Sequence, residues 1–514
     1  MHINFPSSCL NRFAGKSALF KQSLNNAGWS LVDYIVLPAL FFIFTPFFVK
    51  TLGIEIYGLW MLINTFTGFS GIVTFGLTDG TIKYVSKYRI HKDEEKIASV
   101  INTSLGIFFI VGISLFLALY FSANSLVGNI FKISTSNANL GIAAFKLGAA
   151  SIFLRLIDQV YSSALYGFER YDIVSKVNIP FNVLTVLANV VLLKLGYGVK
   201  GILIASICSL LLSATIKACF LSTKSLNGVI LLPRICSNTL KEMLEFGFHS
   251  WLQGLGALLL GQADRLLIAA MVGTQGLAYY SVCQQLTQQI HIMLTKASAF
   301  LFPLFSTMRE SNDLVRLNRV YIKALNIISI IAVSIGIPLF LFADSILTLW
   351  MGREFALEAS NLLQILSFVY TLWATSIAPY YVLNGANYFR LNTALGLAGG
   401  GIVAIMTLIL IPQFGILGAA FSKLFTLPSS IIGRTLIHYK ILHDRRWYAA
   451  LPIFLPIIIM YFAAYVFQSF INCHPTTILH VILAFITASI VAGGISAVLI
   501  NFFSRYAPQT TNNV

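Results

Sequence analysis

Residues 283–296, CQQLTQQIHIMLTK, set four glutamines, a histidine and a lysine among strongly apolar neighbours. Amide side chains both donate and accept hydrogen bonds, which suits sugar hydroxyls. An ammonium group suits a phosphate or carboxylate. Successive helical residues turn by about 100°, so Gln285, Gln288, Gln289 and Lys296 fall within about 60° of Gln285, with Gln284 at the margin. Upstream, His249, Gln253 and Asp264 share another face, and Arg265 lies beside Asp264. Further polar stripes run through Asn178, Asn182, Thr185 and Asn189, through Asn26, Ser30 and Asp33, and through Asn64, Thr67, Gly71 and Thr78.

The elements that carry these residues are set by composition. Of 514 residues, 57% are hydrophobic and 10% charged, and the mean hydropathy is +0.82. That is too few charges to clothe a water-facing surface. Apolar runs of about 20 residues fit membrane-crossing helices, because backbone facing lipid must be hydrogen-bonded within its own segment. The pattern predicts an all-α polytopic protein of about fourteen spans, near 29–50, 57–79, 99–121, 141–166, 175–195, 199–221, 246–272, 277–307, 321–343, 360–384, 391–411, 415–437, 450–470 and 476–503. Residues 1–28 lack the apolar core of a signal peptide, so no cleavage is expected.

The net charge of +16 is best read as orientation, not nucleic-acid binding. With this layout, twenty-three Lys and Arg fall on the side of the N-terminus, Arg434 counted among them, and five on the other. Such a bias puts both termini in the cytoplasm. Six cations remain inside the spans: Lys146, Arg155, Lys217, Arg265, Lys296 and Lys423; the acids there are Asp33, Asp158 and Asp264. Arg155 and Asp158 are spaced to pair, Asp264 to pair with a neighbouring helix, and Lys217 to snorkel toward the cytoplasmic surface. Charges in the membrane cost at least about 2.5 kcal/mol each at mid-bilayer, and buried amides need partners. Both groups therefore face other helices, as interhelical hydrogen bonds, or a hydrated chamber. The cation excess favours a chamber for an anionic guest. Substrate contacts are expected from Lys296, Arg265 and Arg155 for the anion and from Gln285, Gln288, Gln289 and Gln253 for sugar. Asp33, His249 and Asp264 are candidates to carry a coupling proton.

An internal repeat organises the chain. LGIEIYGLW at 52–60 matches VGTQGLAYY at 272–280, LYGFERY at 165–171 matches LNGANYF at 383–389, and GVKGILIAS at 198–206 matches GILGAAFS at 415–422. The order is kept and the offsets stay between 217 and 220. The reading is a six-helix lobe over 1–221, an inter-lobe linker over 222–245, a second six-helix lobe over 246–440, and two extra helices with a tail over 441–514. Pro38, Pro46, Pro180, Pro303, Pro338, Pro379 and Pro428 fall inside spans and favour kinks.

LGIEIYGLW, ALYGFERYD at 164–172, GQADRLLIAAMVG at 261–273 and LFPLFSTM at 301–308, together with the fourteen-span layout, carry a family resemblance. The chain resembles the polysaccharide-lipid flippases of the multidrug/oligosaccharidyl-lipid/polysaccharide (MOP) exporter superfamily, especially Wzx-type O-antigen flippases. The resemblance implies a MATE-like fold in a bacterial inner membrane. It also implies movement of an undecaprenyl-pyrophosphate-linked oligosaccharide from the cytoplasmic to the periplasmic leaflet by alternating access, with other polysaccharide-assembly membrane proteins as partners. No cofactor is implied beyond a coupling ion or proton, and no metal. Two rivals stand beside it: a small-molecule or drug antiporter of the same superfamily, and a membrane glycosyltransferase or polymerase. The second would need positioned carboxylates or a nucleotide motif, and the sequence shows no D-x-D, G-x-x-x-x-G-K-[ST] or H-E-x-x-H.

Overall fold

A computed structural model describes residues 36, 38–225, 231–442, 453–470 and 477–506, and every regular element among them is helical. In chain order the helices are α1 Pro38–Leu52, α2 Ile54–Gly68, α3 Ser70–Val73, α4 Leu77–Ile90, α5 Glu94–Ser125, α6 Ala138–Gly167, α7 Tyr171–Lys194, α8 Gly198–Phe220, α9 Ser237–Met271 and α10 Thr274–Ala297. They continue with α11 Leu301–Glu310, α12 Leu314–Leu341, α13 Ala343–Met351, α14 Arg353–Ala374, α15 Ile377–Gly385, α16 Phe389–Phe414, α17 Ile416–Ser422, α18 Leu427–Lys440, α19 Phe454–Phe470 and α20 Ile478–Tyr506. By length and apolar composition, eleven of the described spans can cross a membrane, or twelve with the bent pair α10–α11 taken as one. The shorter apolar helices α1 and Phe454–Gln468 of α19 bring that to the expected fourteen if both cross.

Two compact units divide the chain, one holding residues 66–251 and the other Ile54–Thr65 together with the chain from Leu252 onward. In the first unit, Val100, Ile101, Leu156, Ala164, Leu165 and Met243 form a buried core. Its outer faces stay apolar: Leu184, Leu187 and Val191 of α7 are exposed, as a lipid-facing helix requires. In the second unit, Phe305, Tyr321, Ala378 and Ile437 centre one core. Val333, Ile337 and Leu372 meet Ile457, Tyr461 and Ala492 in another, so α19 and α20 are part of this unit. In lipid such contacts are held by close packing and by hydrogen bonds such as Thr371 with Tyr461 at 2.7 Å, since tails outside are as apolar as the side chains.

The repeat is written in the backbone. Left-handed φ angles recur in five pairs: Gly53 with Gly273, Lys92 with Asn312, Lys132 with Gly352, Glu169 with Asn387, and Gly198 with Gly415. The first three pairs are 220 residues apart and the others 218 and 217. The caps repeat too. The Asp93 carboxylate accepts from the Lys96 backbone N–H at 3.1 Å to start α5, and Asp313 accepts from Arg316 at 3.0 Å to start α12.

Several expected spans are interrupted. The second breaks between α3 and α4, where Gly76 sits at φ 73°. The eighth bends by 44° between α10 and α11, the tenth breaks at Thr375–Ser376, and the twelfth tightens into a 3-10 turn at Lys423–Thr426. Of the expected kinking prolines, Pro180 and Pro338 lie inside helices, while Pro428 sits in the first turn of α18, where it costs no hydrogen bond. Helix α9 begins at Ser237, inside the stretch read as linker. Preceding it, the Leu232 N–H donates to the Asn102 side chain at 2.9 Å and the Cys236 N–H to the Thr103 hydroxyl at 3.2 Å.

Candidate functional site

A cavity of about 610 Å³ opens within the second unit. Helix α9 contributes Gln253, Ala257, Leu260 and Gly261; α10 contributes Gln288, His291, Thr295 and Lys296. The broken span α14–α15 supplies Trp373, Ser376, Tyr380 and Tyr381, and α18 supplies Ser429 and Ser430. Gln288, His291 and Thr295 recur every three or four residues, so one face of α10 lines the chamber. His291 stacks on Trp373 with ring centroids 4.7 Å apart, and Tyr381 donates to the Thr295 carbonyl at 2.9 Å. Two buried polar atoms of the wall have no partner, Gln253 Nε2 and His291 Nδ1. Buried donors and acceptors are normally satisfied, which makes these two exceptions in the wall.

Behind the chamber lies a charged network. Asp264 on α9 and Lys423 in the turn before α18 form an ion pair at 2.8 Å with both side chains buried. Asp264 also accepts from the Tyr280 hydroxyl and, at 3.0 Å, from the Arg265 backbone N–H. Lys423 donates to the Leu260 carbonyl at 2.8 Å. The Arg265 Nε donates to Gln284 Oε1 at 2.6 Å, and Gln284 Nε2 donates to the Tyr370 hydroxyl at 3.1 Å. Each member is held by at least one other, so the network can fix α9, α10, α14 and the Lys423 turn against one another.

The expected site residues thus separate. Gln253, Gln288 and Lys296 line one cavity. Arg265 and Asp264 sit in the network next to it. Gln285 and Gln289 are half-buried on α10 and outside the cavity lining. Gln284, placed at the margin by helical geometry, is fully buried and central to the network. Asp33 and the side chain of His249 lie outside the described residues. In the first unit, Asp158 pairs with Lys217 of α8, at 2.8 and 2.9 Å, and not with Arg155, which is exposed. Lys217 also donates to Ser162 at 3.0 Å and is fully buried. Its expected snorkelling is therefore corrected: the Asp158 carboxylate lies close enough to hold the ammonium inside.

Arg434 is a buried cation that the sequence reading did not place at the site. Counted from sequence as a cytoplasmic-side cation, it is fully buried in α18. Its Nη2 donates to the Thr375 carbonyl at 2.9 Å and to the Thr375 hydroxyl, and its guanidinium lies 4.2 Å from the Phe454 ring centroid. Its Nε and Nη1 have no partner.

Among solved structures, the inward-facing conformation of a multidrug resistance MATE family transporter of the MOP superfamily matches 86% of this chain and 99% of its own, at TM-score 0.65 and 17% identity. A MOP superfamily transporter from Pyrococcus furiosus matches 81% and 95%, at TM-score 0.58 and 16% identity. The fold is MATE-like. Among named sequences, a putative O-antigen transporter of Shigella flexneri is 23% identical over 404 residues, covering 78% of this chain and 93% of that one. A probable flippase, AglR, of Haloferax volcanii is 22% identical over 394 residues, covering 75% and 77%. The family described as polysaccharide biosynthesis protein matches residues 50–361, more than half of the sequence, and the chain is a multi-pass membrane protein of that family.

Proposed function

We propose that this protein is a polysaccharide flippase of the MOP superfamily, most similar in task to O-antigen transporters, and not an enzyme. Its cargo is a lipid-linked oligosaccharide, carried on undecaprenyl pyrophosphate and moved from the cytoplasmic to the periplasmic leaflet of a bacterial inner membrane. The observation that carries this reading is the cavity of about 610 Å³ inside an apolar helix bundle, lined by amides, hydroxyls, stacked aromatic rings and one lysine. Aromatic faces and amide groups together fit a sugar, whose ring has apolar C–H faces and a polar hydroxyl edge. Lys296 at the rim fits an anionic guest.

Mechanistically, the chain supplies positioning. Gln253 and Gln288 orient hydroxyls, and Trp373 with His291 forms a flat wall for a sugar ring. The breaks at Thr375–Ser376 and Lys423–Thr426 are joints at which the wall changes shape while the lobes alternate access. The Asp264–Lys423 pair holds the joint at Lys423 to α9; Asp264, Asp33 and His249 stay candidates for proton coupling. Both termini lie in the cytoplasm on this reading.

Deletion with analysis of lipid-linked sugars tests the function. Accumulation of the complete lipid-linked repeat unit, protected from enzymes acting outside the membrane, is the expected result. Loss of that lipid before its completion would indicate a biosynthetic enzyme and overturn the reading.

A further inference from the structure

The two repeats carry the same polar cluster with one acid missing. In the first, Asp158 on α6 accepts from Ser213 at 3.0 Å and pairs with Lys217 at 2.8 Å. The left-handed turns after α6 and α15 align at an offset of 218, and those before α8 and α17 at 217. These offsets carry Asp158 onto Ser376, Ser213 onto Ser430 and Lys217 onto Arg434. The counterparts meet as their originals do: Ser376 and Ser430 are hydrogen-bonded at 2.7 Å, and Arg434 reaches Thr375, the neighbour of Ser376. Only the carboxylate has gone. The first repeat neutralises its buried cation internally. The second leaves Arg434 fully buried, with no carboxylate pairing to it among the described residues and with Nε and Nη1 unpartnered.

We propose that a phosphate-type oxyanion binds at Ser376, Ser430 and Arg434, in the place that the Asp158 carboxylate occupies in the other repeat. A buried guanidinium without a counter-charge is strongly disfavoured, and the unpartnered Nε and Nη1, which carry three N–H bonds between them, together with two hydroxyls match the several acceptor oxygens of a phosphate. Ser376 and Ser430 line the cavity of about 610 Å³, and Arg434, one turn after Ser430 on α18, lies fully buried outside that lining, so the oxyanion reaches it by parting the Ser376–Ser430 hydrogen bond. The oxyanion comes either from free phosphate or from the pyrophosphate of a lipid-linked guest. The second source rests on the flippase reading; oxyanion binding itself does not.

The test uses the purified full chain in lipid nanodiscs, with thermal unfolding followed against inorganic phosphate, inorganic pyrophosphate, chloride, and polyprenyl pyrophosphate placed in the bilayer. A saturable rise in melting temperature with a phosphate species is expected, since a ligand bound only by the native state stabilises it. A response to inorganic phosphate or pyrophosphate identifies a free-anion source, and a response to the lipid alone identifies the carrier. Arg434→Gln should abolish the rise. Ser376→Asp, which restores the carboxylate of the first repeat, should also abolish it while melting above the wild type without ligand. This second variant keeps the test valid if Arg434→Gln fails to fold. No rise in the wild type, an equal rise with chloride, or a rise that persists in Ser376→Asp would overturn the proposal. Failure of the flippase reading would appear instead in the lipid-linked sugar analysis, with the anion response intact.

Discussion

At the scale of single residues, the wall of the chamber and the network behind it make opposite demands. Gln253 and His291 each hold a buried polar atom with no partner, so Gln253→Leu and His291→Leu remove unsatisfied groups. Both should leave the melting temperature unchanged or slightly higher, because an unmade hydrogen bond costs about 1–3 kcal/mol, yet lower export in a complementation assay by tenfold or more. Asp264 and Lys423 behave differently. Asp264→Asn strands a buried ammonium and should destabilise by about 3–5 kcal/mol, read by thermal unfolding. Asp264→Asn with Lys423→Gln should cost less than the sum of the singles, since both charges leave together. Much of this was visible in sequence: Gln253, Gln288, Lys296 and the pairing of Asp264 follow from residue type and helical phase. Gln284 and Arg434 were not. The phase of α10 was drawn through the most amides, whereas tertiary contact chose the line of Gln284, Gln288 and His291. Arg434 stands six residues before the end of α18, which resembles a helix-end cation until α14 and Phe454 are packed around it.

At the scale of elements, turns and close approaches decide more than propensity does. Lys92 and Asn312 occupy equivalent left-handed turns at φ 53° and 54°. Asparagine tolerates this conformation better than lysine, so Lys92→Asn should stabilise by up to ~1 kcal/mol, measured by thermal unfolding. At the α4–α9 contact in the first unit, a Cβ on Gly76 would lie 2.0 Å from the Gly247 carbonyl oxygen, and one on Gly247 would lie 2.4 Å from that of Gly76. Alanine at either position should destabilise by about 1–3 kcal/mol, and the double variant by less than the sum, because both methyls force the same separation. Asp93 adds a pH dependence outside the membrane. The Lys96 backbone N–H holds its carboxyl below the usual range, so its stabilisation is present above the ordinary carboxylate pKa of about 4 and fades as pH falls through the lower native value. Asp93→Ala should remove that acid-side loss. Hydropathy located nearly every helix, but not the breaks at 298–300, 375–376 and 423–426. Pro303, Pro379 and Pro428 follow these breaks by two or three residues, as the kink expectation for them requires, but hydropathy alone does not report where the helix gives way.

At the scale of the whole molecule, two units of similar design share one chain, and the repeat behind them was partly legible. Three loose sequence matches gave the offset; the five paired turns and the paired serine–cation clusters supply what side-chain divergence had hidden. The Lys and Arg bias carries the topology prediction. In a chain retaining Cys236 alone, an impermeant thiol reagent applied to intact cells should leave this exposed cysteine unlabelled. Arg353→Cys in the cysteine-free chain should be labelled, and the reverse pattern would invert the orientation. One consequence remains in the Arg434 cluster. A guanidinium enclosed within the bilayer without a built-in counter-charge is a handle for voltage: a charge traversing the full field gains or loses about 2.3 kcal/mol per 100 mV. In the first repeat the equivalent cation, Lys217, is neutralised by Asp158, so that pair offers no such handle. Of the two equivalent clusters, the second is therefore the one that a membrane potential would act on, and a bound anion would switch that response off.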